Sequence, residues 1–189
     1  AQVGLRESGG TERAWAVTAS ANYFDVLGVP MVAGRAFRPE EELGAAQVAV
    51  LGYDYWQRRF KGDPAMIDRK LNLSGHDFTV IGIAAPKFGG AYVGLSMDLY
   101  VPVTTRTVLD GGAPWEDRGW QWLEGIARLK PGVSAAAAEA DAARVGRELD
   151  ALFPNDQNYP VLSSLRTQGA SAVLLPVMSA LLGVTVLVL

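Results

Sequence analysis

The longest apolar run of the chain lies at its C-terminal end, in residues 170–189, which contain no charged side chain. The 18 residues from 172 to 189 would form a helix of about 27 Å, close to the roughly 30 Å of bilayer hydrocarbon. This length predicts the beginning of a transmembrane helix. The alternative is a buried C-terminal helix of a soluble domain, although such a helix normally keeps a polar stripe and this run offers only Ser179 and Thr185.

Two earlier stretches have the period of amphipathic helices. Residues 53–60 bring three aromatic side chains to one face, and residues 135–153 follow Ser134, a typical N-cap residue. The apolar face of the second helix consists of Ala138, Ala142, Val145, Leu149 and Leu152. A shorter helix is predicted within residues 20–28, with Ser20 as its N-cap, because Gly28 is a typical helix terminator.

Alternating and short apolar segments predict a series of strands. The clearest hairpin joins 69–74 to 77–84 through a turn at Gly75 and His76, with Ile83 facing away from Val80. Further strands are predicted at 14–19, 29–34, 47–51, 98–103, 122–130 and 161–165. Residues 1–12 are rich in glycine and polar residues and are predicted to be a loose lead-in.

Composition narrows the possible partners of the chain. Seventeen Lys and Arg residues are scattered among twenty acidic residues, and the net charge is −3, so nucleic acid is not an expected partner. The absence of cysteine excludes disulfides, thiolate metal sites and cysteine nucleophiles. The opening sequence has neither an initiator Met nor a signal peptide, which leads us to expect an upstream membrane helix in a longer protein.

No catalytic, cofactor-binding or metal-binding residue is predicted. His76 is the only histidine and falls in a predicted turn, where an exposed turn residue is the simplest interpretation. The phosphate-binding pattern GxxxxGK[ST] is absent, residues 89–94 lack the spacing of a dinucleotide fingerprint, and Asp98 stands where a nucleophile elbow needs glycine. The chain is therefore predicted not to be an enzyme and to need no cofactor.

Seven segments, taken together and in order, resemble one family. They are 20–28 (SANYFDVLG), 33–37 (AGRAF), 48–51 (VAVL) with Trp56 and Phe60, 62–64 (GDP), 71–75 (LNLSG), 78–83 (FTVIGI) and 128–134 (RLKPGVS). The resemblance is to the periplasmic core domain of MacB/FtsX-type ABC transporter permeases, and in particular to acidobacterial duplicated orphan permeases. It extends from about Trp15 to the end of the chain.

This resemblance implies an α+β, two-lobed extracytoplasmic domain over residues 1–169. A porter-like lobe of strand-helix-strand units would comprise 13–45 and 118–168, and a small β-rich, sabre-like lobe, 46–117, would be inserted between them. Residues 170–189 would begin a transmembrane helix of an FtsX-like permease domain. The implied location is the bacterial inner membrane, with this domain on the periplasmic side.

The implied function is to transmit conformational change from a separate cytoplasmic ABC ATPase to export or to extracytoplasmic partners. The expected partners are that ATPase, the membrane, and a periplasmic adaptor or second permease copy. A membrane-anchored binding or sensor domain is the alternative, and an anchored hydrolase is a third. As a mechanism, we hypothesise that Val145 and Leu149 are buried contacts of a helical lever next to the membrane helix.

Overall fold

The computed structural model describes residues 2–7, 10–91, 96–111 and 123–154. Its strands are β1 (Gln2–Glu7), β2 (Gly10–Ala19), β3 (Met31–Gly34), β4 (Val48–Leu51), β5 (Lys70–Leu73), β6 (His76–Ala84) and β7 (Leu99–Pro102). Its helices are α1 (Tyr23–Leu27), α2 (Pro39–Leu43), α3 (Tyr53–Phe60), α4 (Arg106–Asp110) and α5 (Ala135–Leu152). The predicted mixture of helices and strands is confirmed.

The strands form one sheet that closes on itself. Their order is β3-β6-β4-β7-β2-β1-β5, and an additional pairing of β5 with β6 joins six of them into a ring. Along one edge of β6, the first half pairs with β5 and the second half pairs with β3. Closure satisfies the backbone hydrogen bonds that an open sheet leaves at its two edges. The ring belongs to a first compact unit, residues 1–88 and 97–132.

The inside of the ring holds the hydrophobic core. Alternate residues of each strand point inward, and the helix α3 adds Tyr55 and Trp56. The Trp56 indole N–H donates to the Asp63 carbonyl oxygen at 2.9 Å, so the indole group is buried while its N–H keeps a hydrogen-bond partner. Full burial of an aliphatic or aromatic core residue contributes about 1.5–3 kcal/mol. The strand residues of this core include Val3, Leu5, Ala14, Ala16, Leu51, Leu71, Leu73, Phe78, Val80, Ile83, Leu99 and Val101.

A β-bulge interrupts the alternation of β6. Ala49 of β4 pairs with Val80, but the next residue of β4 pairs with Gly82, so Ile81 is an extra residue. Because of this insertion, Ile83 lies in the same core as Val80. The prediction that Ile83 faces away from Val80 is wrong for this reason. The hairpin itself is confirmed, although its tight turn is one residue earlier than predicted.

The first strand contradicts the predicted lead-in. β1 pairs with β2 over six residues and with β5 at Leu5 and Arg6. Val3 and Leu5 are buried, so the segment has the alternation of a strand, but it is short and contains Gly4. Its partner β5 is about seventy residues away along the chain, which no local pattern reveals.

Of the remaining predictions, one strand is wrong, and others fall outside the described residues or remain predictions. The strand predicted at 122–130 is wrong, because residues 123–130 have no strand pairing and are mostly exposed. The strand at 161–165 and the apolar run 170–189 lie outside the described residues. No helix in the described ranges is long and apolar enough to cross a membrane. Strands from 13–45 and from 46–117 pair in the same sheet, and the proposed lobe boundaries remain predictions.

The helix α5 belongs to a second compact unit, residues 89–96 and 133–189. The predicted cap is confirmed, since the Ser134 hydroxyl accepts a hydrogen bond from the Ala137 N–H at 3.1 Å. The hypothesis that Val145 and Leu149 are buried is wrong, because each is 38% exposed. Gly146, about 100° around the helix from Val145, is the buried residue of α5. The buried residue of α5 is thus a glycine, whereas its larger apolar residues Val145, Leu149 and Leu152 are exposed.

We expect Gly82→Ala to destabilise the fold. A Cβ atom at Gly82 would overlap the carbonyl oxygen of Arg35, a backbone atom that cannot rotate away. Overpacking of this kind costs about 1–3 kcal/mol. Urea unfolding followed by circular dichroism measures the change. Gly125→Ala is the matched control, because a Cβ atom there has nothing within 4 Å; equal stability of the two variants would contradict the close packing at the bulge.

Candidate functional site

The side chains with catalytic potential are dispersed. His76 is the first residue of β6, is exposed, and lies opposite Leu73 of β5. Within the described ranges, no three His, Asp or Glu side chains form a group that could hold a metal ion. The contacts that connect distant parts of the first unit converge instead on the short helix α1.

The chain just before α1 is held by α2 and by the segment after β7. The Glu42 carboxylate accepts a hydrogen bond from the Ala21 N–H at 2.6 Å. The Glu42 carbonyl oxygen in turn accepts a hydrogen bond from the Thr104 hydroxyl at 2.6 Å. Glu42 thus links three segments that are separate in sequence. From the sequence alone, the acidic run 40–42 suggests only a solvated surface.

The end of α1 is held by a residue much later in the chain. Gly28 adopts the left-handed conformation of a helix C-terminus, as predicted. Its N–H group donates to the Asp25 carbonyl oxygen at 3.1 Å, and the Val29 N–H donates to the Phe24 carbonyl oxygen at 2.9 Å. The Arg128 guanidinium donates to the Val26 carbonyl oxygen from Nε at 3.1 Å and from Nη2 at 2.7 Å. These bonds satisfy a carbonyl that the short helix leaves without an intrahelical partner. They join residues 102 positions apart.

Aromatic side chains pack between α1 and the outside of the ring. Phe24 meets Tyr100 of β7 edge to face at a centroid distance of 5.2 Å, and Phe88 stacks on Tyr100 at 5.6 Å. Tyr23 and Phe37 complete the cluster. Burial raises the pKa of the Tyr100 hydroxyl, so it stays neutral. We call the two hydrogen-bonded pairs Ala21–Glu42 and Val26–Arg128, together with this aromatic cluster, the α1 junction.

An ion pair stabilises the turn between β3 and α2. The Arg35 guanidinium donates to both Glu41 carboxylate oxygens, at 2.9 and 2.6 Å, and Glu41 also accepts from the Arg38 N–H at 2.8 Å. The hydrogen bond from Arg35 lowers the pKa of Glu41, although partial burial opposes the shift. The hydrogen bond from the Arg38 N–H to the Glu41 carboxylate is one half of a capping box at the start of α2.

A buried acid connects β2 with α3. One Asp98 oxygen accepts from the Trp15 N–H at 2.9 Å, and the other accepts from the Arg58 guanidinium at 2.9 Å. The Asp98 carbonyl oxygen accepts from the Gly52 N–H at 2.8 Å. This residue precedes β7 directly and fixes its start against two other elements. No sequence pattern around Asp98 indicates this role; its position only excludes a nucleophile elbow.

The fold is one already known from domains of bacterial transporters. The crystal structure of the periplasmic region of MacB from Actinobacillus actinomycetemcomitans matches with a TM-score of 0.60 and 18% identity, covering 83% of this chain and 65% of that one. The extracellular domain of the noncanonical ABC-type transporter YknZ from Gram-positive bacteria matches with a TM-score of 0.60 and 15% identity, covering 86% and 77%.

Residues 2–145 match the family described as the MacB-like periplasmic core domain. The chain belongs to this family, which confirms the resemblance drawn from its motifs. A relative in Burkholderia thailandensis, the macrolide export ATP-binding/permease protein MacB, is 30% identical over 118 residues. That alignment covers 62% of this chain but only 17% of the relative.

We expect Arg128→Ala to lower the free energy of unfolding by about 1 kcal/mol, because the Val26 carbonyl oxygen then loses the two charge-assisted hydrogen bonds that Arg128 donates to it. Lys130→Ala, an exposed residue of the same segment, should change stability by less than about 0.5 kcal/mol. Chemical denaturation of both variants gives the comparison. If the two lose the same stability, Arg128 does not hold α1.

The contribution of Glu41 should depend on pH. Its folded pKa lies below the unfolded value of about 4.3, so the pair with Arg35 stabilises fully above that value and fades as the pH falls through the folded pKa. We expect Glu41→Gln to cost about 1 kcal/mol at neutral pH and progressively less in acid. Urea titrations from pH 7 to about pH 3 measure the difference.

The neighbouring Glu40→Gln is the control for this pH dependence, since Glu40 is exposed on the same helix. It should show a smaller cost at neutral pH. A constant difference between wild type and Glu41→Gln across the pH range would contradict the assigned role of the ion pair.

Proposed function

We propose that the chain is the extracytoplasmic domain of an ABC transporter permease, and that it passes conformational change from a separate cytoplasmic ATPase to export or to extracytoplasmic partners. The family match over residues 2–145 carries this proposal. The name of the Burkholderia relative supports the transport context, because it joins export, ATP binding and a permease in one protein. The domain itself would carry no catalytic step.

The structure of the first unit suits a part that transmits force. A closed ring of strands resists shear because no strand can slide without breaking two ladders of hydrogen bonds. The segment 123–132 is tied to α1 through Arg128, and α1 is tied to β7 through the aromatic cluster. A displacement of that segment would therefore move the ring as a rigid body.

The wider organisation follows as part of the same proposal. We propose a porter-like lobe of 13–45 with 118–168, an inserted sabre-like lobe of 46–117, and a membrane helix that begins within 170–189. The domain would lie on the extracytoplasmic side of a bacterial inner membrane. Its partners would be the ATPase, the membrane, and an adaptor or a second permease copy.

The test uses the complete membrane protein that contains this chain, reconstituted with its ATPase in lipid nanodiscs. The chain has no cysteine, so engineered cysteines at Glu40 of α2 and Arg147 of α5 can carry spin labels in an otherwise unlabelled domain. Both positions are exposed. We expect the distribution of label-to-label distances to differ between the nucleotide-free and ATP-trapped states, because the domain changes conformation with the ATPase.

The matched control places the labels at Glu40 and Asp54, both exposed in the first unit. This pair should show the same distances in the two states, because the ring moves as one body. A second control uses an ATPase that binds nucleotide but cannot close. If the Glu40–Arg147 distances are the same with and without ATP, the domain does not transmit the ATPase cycle and the binding-domain alternative is favoured.

A further inference from the structure

The outer face of three neighbouring strands carries cations in a diagonal row. The register places Arg6 of β1 beside Thr11 of β2 and beside Asn72 of β5. Arg13 lies two residues further along β2, and Lys70 lies two residues earlier along β5. Because both neighbours run antiparallel to β1, these offsets fall on opposite sides of Arg6. The three cations therefore form one line across β2, β1 and β5.

The row faces solvent and ends in an aromatic residue. Val3, Leu5 and Ala14 point into the core, so the residues that alternate with them point outward. Arg6, Arg13 and Lys70 are all exposed. Trp15 continues the line along β2 and is 49% exposed, which is unusual for so large an apolar side chain. We call Trp15, Arg13, Arg6 and Lys70 the cationic row.

The charges of the cationic row are not neutralised within the described part of the chain. No ion pair there involves Arg6, Arg13 or Lys70. Other arginines of the same unit are paired: Arg58 with Asp98 and Arg59 with Glu12. The row thus concentrates positive charge on a chain whose net charge is −3.

The acid of β6 that points to this outer face is already engaged. Asp77 lies beside Asn72 across β5 and β6, and it accepts a hydrogen bond from the Asn72 amide at 2.9 Å. One carboxylate cannot balance three cations. Thr11 beside Arg6, Thr79 beside Lys70 and the turn residue Ser74 are neutral and polar.

We propose that the cationic row binds an acidic, extended segment of a partner protein. Diagonal neighbours on adjacent strands are separated by about 7–8 Å. In an extended chain, side chains on one face recur about every 6.8 Å, so carboxylates at alternate positions match the row. Exposed Trp and Arg side chains are also the residues that most often dominate protein–protein affinity.

An anionic bilayer is the less suitable partner for this face. Lipid docking gains from apolar side chains that enter the headgroup region around the cations. Here the residues between and beside the cations are polar, and Trp15 stands at one end of the row. The surface is suited to recognition by side chains and not to insertion. This inference concerns docking alone and does not depend on coupling to an ATPase.

The probe is a fluorescein-labelled dodecapeptide of alternating Glu and Thr, titrated with the full chain in nanodiscs of neutral lipid at low salt. We expect saturable binding that weakens as salt increases, because charged contacts are screened. The variant Arg6→Gln/Arg13→Gln/Lys70→Gln should weaken binding at least tenfold, and Trp15→Ala about threefold or more. A peptide of alternating Gln and Thr should not bind measurably.

The control variant Lys61→Gln/Lys130→Gln/Arg147→Gln removes the same charge from exposed positions elsewhere and should retain binding within twofold. Thermal melting establishes that each variant is folded. Equal losses in the two triple variants would overturn the proposal in favour of a net-charge effect. Failure of the wild-type chain to bind the peptide would also overturn it, as would binding only to vesicles with 30% phosphatidylglycerol, which would indicate a lipid surface.

Discussion

Closure of the strand ring is the constraint on which the rest of the structure depends. β6 pairs with β4 on one edge and with both β5 and β3, in succession, on the other. The bulge at Ile81 bends β6 between these partners and returns Ile83 to the core. Gly82 is required at the bend because the backbone of Arg35 occupies the position of a side chain. One inserted residue therefore sets both the curvature and the side-chain pattern of the ring.

Local signals in the sequence predicted the elements that local chemistry determines. The hairpin of β5 and β6, the end of α1 at Gly28 and the cap at Ser134 each depend on neighbouring residues, and each was found. Whether β1 and the segment 123–130 form strands depends on whether a distant strand is available to pair with them. The local pattern of apolar residues therefore gives the wrong prediction for both segments. The α1 junction was missed for the same reason: nothing near Arg128 indicates a carbonyl group 102 residues earlier. Motifs taken together identified the family even though no single element revealed its contacts.

The distribution of charge explains how an acidic chain presents a basic face. Three of its carboxylates are engaged inside the first unit: Glu41 with Arg35, Glu42 with the Ala21 backbone, and Asp98 with Trp15 and Arg58. Each of them accepts hydrogen bonds that fix a turn or the start of a strand, so their positions are set by folding. They are not placed to balance exposed cations on the outer face of β1, β2 and β5. Net charge is thus a poor guide to the partner that one face of this unit would select.

The cationic row and the α1 junction lie on neighbouring parts of the same ring. Trp15 at the end of the row donates its backbone N–H to Asp98, and Tyr100, two residues further along, packs against Phe24 of α1. These contacts form a continuous physical connection from the row to α1, but continuity alone does not establish energetic coupling. Coupling requires an element with two arrangements, and a closed ring with a packed interior offers few. If the row and the junction communicate, the communication therefore takes the form of displacement of the whole unit and not of a change within it.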